Sequence, residues 1–238
     1  MATYVLVHGG GHGGWCYKKV KRILEAAGHE VFAPSMTGLA ERSHLLSPSI
    51  DLDFHVNDIV QVLHYWDLRD VVLVGHSYGG MVITGTADRV PERVGQLAYL
   101  DGALPENGES LAAMTPELMD ALHSQAQVID GVEVVLCPGP DAGRRYGVTD
   151  PDDLAWMQER LTPHPWRSFT QPLVLSNEAA VARLPHTNIN CTETLRRRPL
   201  ERAARAAQAD RVWEIDTGHD LMITEPQFVA DVLMEIAN

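Results

Sequence analysis

Cysteine is scarce: the 238 residues hold only Cys16, Cys137 and Cys191. So small and odd a number argues against a disulfide framework and fits a reducing cytoplasm. Long apolar runs are missing, since no stretch reaches the roughly 18 continuous apolar residues of a membrane span. A strand-like run starts already at Tyr4, so no signal peptide is expected. Basic charge is in the minority, with 19 Lys and Arg against 32 Asp and Glu and a net charge of −13. Such a chain repels phosphate backbones, so no nucleic-acid partner is expected. The one basic run, Arg196-Arg197-Arg198 followed by Arg202 and Arg205, reads as a solvated face near a helix start. What is present is ordinary for a globular protein, 45% apolar and 21% charged residues, and a chain of this length can bury a sizeable core.

The first hundred residues alternate in type. Tyr4 to Val7, Glu30 to Ala33, Val71 to Val74 and Val94 to Leu100 read as strands. Between them, residues 15–27 read as a helix stopped by Gly28, and Leu52, Val56, Ile59, Leu63 and Trp66 form one face of an amphipathic helix. A further helix runs from Tyr78 to Asp88. The fully apolar Val71-Val72-Leu73-Val74 predicts a strand buried on both faces, as in a mostly parallel sheet flanked by helices. From about 105 to 185 the pattern lapses into a proline-rich stretch with two short helix candidates, Glu117–Gln127 and Asp152–Leu161. It is too long for a plain loop and reads as a helical cap inserted into a single domain spanning 1–238. Alternation then resumes with strands at Thr187–Cys191 and Arg211–Ile215, and a last helix opening at Thr224, with Gln227 completing a capping box.

The segment from Val71 to Gly80 carries G-x-S-x-G between a buried strand and a helix. A serine in that context, here Ser77, sits on a sharp turn that presents its hydroxyl above the sheet edge, at a helix N-terminus. It needs a base. Among eleven histidines, His219 lies in a loop after a strand and before the last helix, where it can reach that edge. His76, next to the candidate nucleophile, is expected to pack or hydrogen-bond elsewhere. A tetrahedral intermediate also needs two donors, and these are expected from the backbone N–H of Tyr78 and, in the glycine loop His8 to Trp15, that of Gly10. That loop lacks the Lys-Ser or Lys-Thr of a phosphate loop and a clear acidic partner for a dinucleotide ribose. His8 and His12 are spaced like a metal pair but have no carboxylate or cysteine cluster near them in sequence, so neither metal nor cofactor is expected.

The loop HGGGHGGW from His8 to Trp15, the elbow GHSYG from Gly75 to Gly79 and the Gly218-His219 pair, in this order, resemble the α/β-hydrolase superfamily. Within it they resemble the branch of plant methylesterases, hydroxynitrile lyases and small bacterial carboxylesterases. The resemblance covers nearly the whole chain, least of all the cap. It implies Ser77 as nucleophile, His219 as base, and the amides of Gly10 and Tyr78 as oxyanion donors. In the plant enzymes the acid follows the strand matching Thr187–Cys191, where this chain has Thr194, which cannot carry the charge. Asp101, after the strand ending at Leu100, is the favoured substitute, as in a subgroup of haloalkane dehalogenases that resemble it there; Glu193 is the alternative, and Asp101 could instead simply cap its loop. The plant lyases carry a threonine in the first loop and a lysine just after the catalytic histidine, whereas here Gly9 follows His8 and Asp220 follows His219. The expected activity is hydrolysis of a small carboxylic ester through an acyl-enzyme. The alternative is a non-hydrolytic or ligand-binding member with a weakened triad.

Overall fold

The alternation of apolar residues along the strands decides which element covers which face of the sheet. In the computed structural model, which describes residues 1–139 and 143–237, strands β1 (Thr3–Val7), β2 (Glu30–Phe32), β3 (Val71–His76) and β4 (Val94–Leu100) come first. With β8 (His186–Cys191) and β9 (Arg211–Ile215) they form a six-stranded sheet in the order β2-β1-β3-β4-β8-β9. Every pairing in it is parallel. Side chains one residue apart point to opposite faces. Tyr4, Leu6, Val72, Val74, Ala98 and Leu100 therefore share one core, and Val5, Val7, Leu73 and Leu97 share the other. All six residues of β3 are buried, as its apolar run predicts.

The first core is closed by α1 (Lys18–Ala26), through Val20 and Leu24, and by the C-terminal helix Pro226–Ile236, through Val229, Leu233 and Ile236. The second is closed by α2 (Leu52–Tyr65) and α3 (Gly79–Arg89). The Asp51 side chain caps α2 by accepting the Phe54 N–H at 3.0 Å, and Val56, Ile59 and Leu63 form its inner stripe. Full burial of each such aliphatic side chain contributes about 1.5–3 kcal/mol before the entropy of ordering it.

Between β4 and β8 the chain forms short helices at Leu111–Met114, Pro116–His123, Pro151–Gln158, Trp166–Thr170 and Glu178–Val181. It also forms an antiparallel sheet of β5 (Gln127–Ile129), β6 (Val132–Val135) and β7 (His164–Pro165), so the insertion is not purely helical. The β5–β6 turn is Asp130-Gly131, both at positive φ, 49° and 77°. The insertion is stitched to the glycine loop: Gly11 N–H donates to His164 Nδ1 at 3.2 Å, and Thr162 N–H donates to Gly11 O at 2.9 Å. At the C-terminus the expected capping box is absent. Pro226 occupies the first helical turn, where its fixed φ suits the start, and Glu225 stands at the cap. The Thr224 hydroxyl instead meets that of Thr217, while Gln227 pairs with Asp231.

Candidate active site

Ser77 follows β3 directly, with φ at 52°, and Asp101 follows β4, with φ at 42°. A non-glycine residue in this left-handed region is strained and persists only where its surroundings hold it. The carbonyl of Ser77 accepts the amides of Gly80 and Ala103, and its own N–H donates to Leu100 O. The elbow is also too crowded for side chains: a Cβ on Gly79 would lie 2.5 Å from Val7 O, and one on Gly75 would lie 2.6 Å from Gly79 O. The glycine loop crosses beside the serine, since a Cβ on Gly9 would come within 2.8 Å of Ser77 Cβ.

The loop after β9 carries His219, whose Nδ1–H donates to Asp101 Oδ2 at 2.5 Å. That bond fixes the tautomer and leaves Nε2 with its lone pair. Asp101 is fully buried. Burial works to raise its pKa, but the hydrogen bond and charge of His219, the Arg198 guanidinium and the Thr194 hydroxyl outweigh it and lower the value to about 2. Glu193 is exposed on the one-turn helix Thr192–Leu195 and makes no contact with His219 among the described residues. No hydrogen bond joins the Ser77 hydroxyl to the His219 ring among the described residues; a general base often closes on its nucleophile only when substrate is bound.

The amides of Gly10 and Tyr78 have no acceptor among the described residues. The orientation of the Gly9–Gly10 peptide has a cause. His8 Nε2 accepts the Met36 N–H at 3.0 Å, so Nδ1 carries the proton and donates to Gly9 O at 2.9 Å. In a trans peptide the carbonyl and the following N–H point in opposite directions, so pinning Gly9 O turns the Gly10 N–H the other way. Burial pushes the His8 pKa down to about 3, which keeps the ring neutral for this task. Tyr78 is anchored through its hydroxyl, which donates to His55 Nδ1 at 2.9 Å, because His55 Nε2–H is committed to Thr37 O. Leu136 and Phe169, both from the insertion, crowd Gly10 and give this end of the site an apolar wall.

His12 does have a carboxylate beside it, supplied by a residue 208 positions away. Its Nε2–H donates to Asp220 Oδ2 at 2.9 Å and its Nδ1–H to Gly10 O at 2.8 Å. Two accepting partners require both nitrogens protonated. Burial opposes that charge, but the Asp220 charge and hydrogen bond overcome it and raise the His12 pKa. All four ring nitrogens of His8 and His12 are thus engaged, the two Nδ1 atoms with the glycine loop and the two Nε2 atoms with the Met36 N–H and Asp220. His76 turns away from the hydroxyl, as expected, and donates from Nε2 to His219 O at 3.0 Å.

Sequence reasoning passes over Arg198 and Asp220. The basic run is only partly a solvated face: Arg196 and Arg197 are exposed, but Arg198 folds inward onto Asp101 and Arg205 pairs with Glu109. Thr194 in place of an aspartate was the one sequence sign that this corner is rebuilt.

The model of the alpha/beta hydrolase family matches residues 4–232. This chain belongs to that family. The hydrolase is 34% identical over 243 residues to the carbendazim hydrolyzing esterase of Nocardioides sp. (strain SG-4G), covering 98% of each chain. It is 27% identical over 262 residues to methylesterase 2 of Arabidopsis thaliana, with 99% and 95% coverage. Among solved structures, polyneuridine aldehyde esterase superposes with a TM-score of 0.82 over 100% of both chains at 22% identity, a likeness of fold. No helix among the described residues is long and apolar enough to cross a membrane.

Proposed function

We propose that this hydrolase cleaves small carboxylic esters through an acyl-enzyme on Ser77. The full-length relatives named as esterases support ester hydrolysis, and the local geometry supports the division of labour. His219 Nε2 takes the Ser77 proton as Oγ attacks the ester carbonyl. The imidazolium so formed keeps its Nδ1–H on Asp101, whose negative charge stabilises it. The tetrahedral oxyanion receives the amides of Gly10 and Tyr78. Collapse expels the alcohol, to which His219 returns the proton, and a water molecule repeats the sequence on the acyl group. Leu136 and Phe169 beside Gly10 favour an apolar substituent near the reacting carbonyl. Three free thiols fit a reducing, cytoplasmic setting.

The observation that carries this reading is the 2.5 Å contact between His219 and the buried, ionised Asp101. It speaks against a binding protein with a weakened triad, because a charged carboxylate on Nδ1–H both holds the tautomer that frees Nε2 and stabilises the ring when it takes up the serine proton. A fluorophosphonate should add once, at Ser77, and Ser77→Ala should lower aryl-ester turnover by at least about three decades. Unmodified Ser77 in folded protein, with hydrolysis indifferent to Ser77→Ala, overturns the mechanism.

A further inference from the structure

The acid of this site has an unusual second partner. Asp101 Oδ2 is committed to His219, and Oδ1 accepts Arg198 Nη2 at 2.8 Å. The same nitrogen lies 3.2 Å from the Asp101 backbone carbonyl. Arg198 therefore grips both the carboxylate and the main chain of a residue held at positive φ. Both partners are sequestered, with 15% of the Arg198 side chain and none of the Asp101 side chain exposed. Among the described residues the one other hydrogen bond to Oδ1 comes from the Cys191 N–H, at a long 3.5 Å, while the Thr194 hydroxyl lies beside the carboxylate.

We propose that Arg198 is a positioning residue for the hydrolytic site, holding the Asp101 carboxylate in the plane and charge state that His219 requires; this rests on the reading of Asp101 as the acid. The turn after Thr192–Leu195 brings the guanidinium back over β8, with Arg198 N–H donating to Thr194 O and Leu195 O. A buried carboxylate with one poorly satisfied oxygen can rotate away from its imidazole or take up a proton. Arg198 removes both options by a charge-assisted bond of fixed direction. The Thr194 hydroxyl faces the same carboxylate, so Thr194 and Arg198 together fill the corner after β8 where the plant enzymes are expected to carry their acid. The guanidinium also has an electrostatic cost: a cation beside the pair disfavours protonation of His219.

That cost gives the proposal a signature beyond loss of stability. The charged and titratable groups facing the pair are Arg198 and the Cys191 thiol beside Asp101, and Asp220, His76 and His12 behind His219. Tyr146 stacks on the His219 ring at 6.4 Å, and Arg202 stands behind Arg198 with Glu109. Removing Arg198 alone leaves the anions in place. The acid limb of kcat/KM, which reports protonation of the general base, should therefore move to higher pH.

The experiment compares Arg198→Met and Arg198→Lys with the wild type on an aryl ester from pH 5 to 9. Fluorophosphonate titration counts the folded sites, so that kcat is expressed per competent site. Arg198→Met should lower kcat about 10- to 100-fold with KM changed less than about threefold, because the loss falls on the transition state. Its acid limb should rise by roughly half to one pH unit. Arg198→Lys, which keeps the charge but not the planar fork, should restore the limb and part of kcat. Unchanged kcat per titrated site in Arg198→Met overturns the proposal. So does a fall in kcat with an unmoved acid limb, which would mean structural support alone. Asp101→Asn, run in parallel, separates the two readings: if it is as active as wild type, the reading of Asp101 as the acid fails, whatever Arg198 does.

Discussion

Asp101 shows how one residue can carry strain, charge and partner choice together. Its amide donates to Ile189 O at 2.7 Å, its carbonyl meets Arg198, and its two carboxylate oxygens divide between Arg198 and His219. Every polar atom of the residue is thus used, as a buried charge at positive φ demands. Asp101→Asn keeps the shape but offers His219 an amide of the wrong character, so kcat should fall by roughly two to four decades with KM nearly unchanged. Glu193→Gln, on an exposed side chain, should cost less than about tenfold. Steady-state kinetics on the two variants, with circular dichroism as a folding control, decides between the carboxylates; the reverse ranking moves the acid to the later strand. Asp101 was legible because it ends an apolar strand beside the one that feeds the elbow. Its companion Arg198 was not, because three consecutive arginines carry no signal of direction, and only the turn geometry sends one of them inward.

Elements differ in how openly they announce themselves. The fully apolar β3 and the three-and-four spacing of α2 are visible in sequence because burial there follows a single period. The β5–β6 hairpin was missed although its turn is Asp130-Gly131 flanked by Val128-Ile129 and Val132, a strong hairpin signature. The helix candidate Glu117–Gln127 runs past the observed helix end at His123 and takes in only Gln127, the first residue of β5. The Thr224–Gln227 spacing looks like a capping box with Thr224 as the cap, whereas Pro226 sets the boundary and moves the cap one residue on, to Glu225. Contacts between elements were hidden altogether, among them the ion pair joining the glycine loop to the His219 loop through His12 and Asp220. Removing one partner of a buried pair typically costs about 3–5 kcal/mol, because the other charge stays buried. Asp220→Asn should therefore lower the Tm by roughly 6–20 °C. A calorimetric scan that finds no shift would show that the pair contributes nothing net.

For the molecule as a whole, buried histidines set the response to acid. Burial lowers the pKa values of His8 and His76, both to about 3, and those of His55 and His164 also fall. Below pH 6.5 the unfolded chain takes up protons on these rings that the folded chain refuses, so their stabilisation is full above 6.5 and is lost as pH falls toward 3. Asp101 adds to the loss further down, from its ordinary 3.8 to about 2. His12 works in the opposite sense: its stabilisation is full below 6.5 and fades as pH rises through its raised value. With four rings against one, Tm should decline steadily from pH 7 to pH 4.5; a flat profile in differential scanning calorimetry would contradict four buried neutral imidazoles. The all-parallel sheet carries a kinetic corollary. His219 and Asp101 lie 118 residues apart, and the strands that bear them meet only across β8. Parallel pairs cannot form by local hairpin closure; each requires a long crossover whose entropy is spent before any contact rewards it. The candidate site therefore assembles late. After dilution from denaturant, ester turnover should reappear more slowly than far-UV ellipticity, making enzymatic activity the most stringent reporter of completed folding.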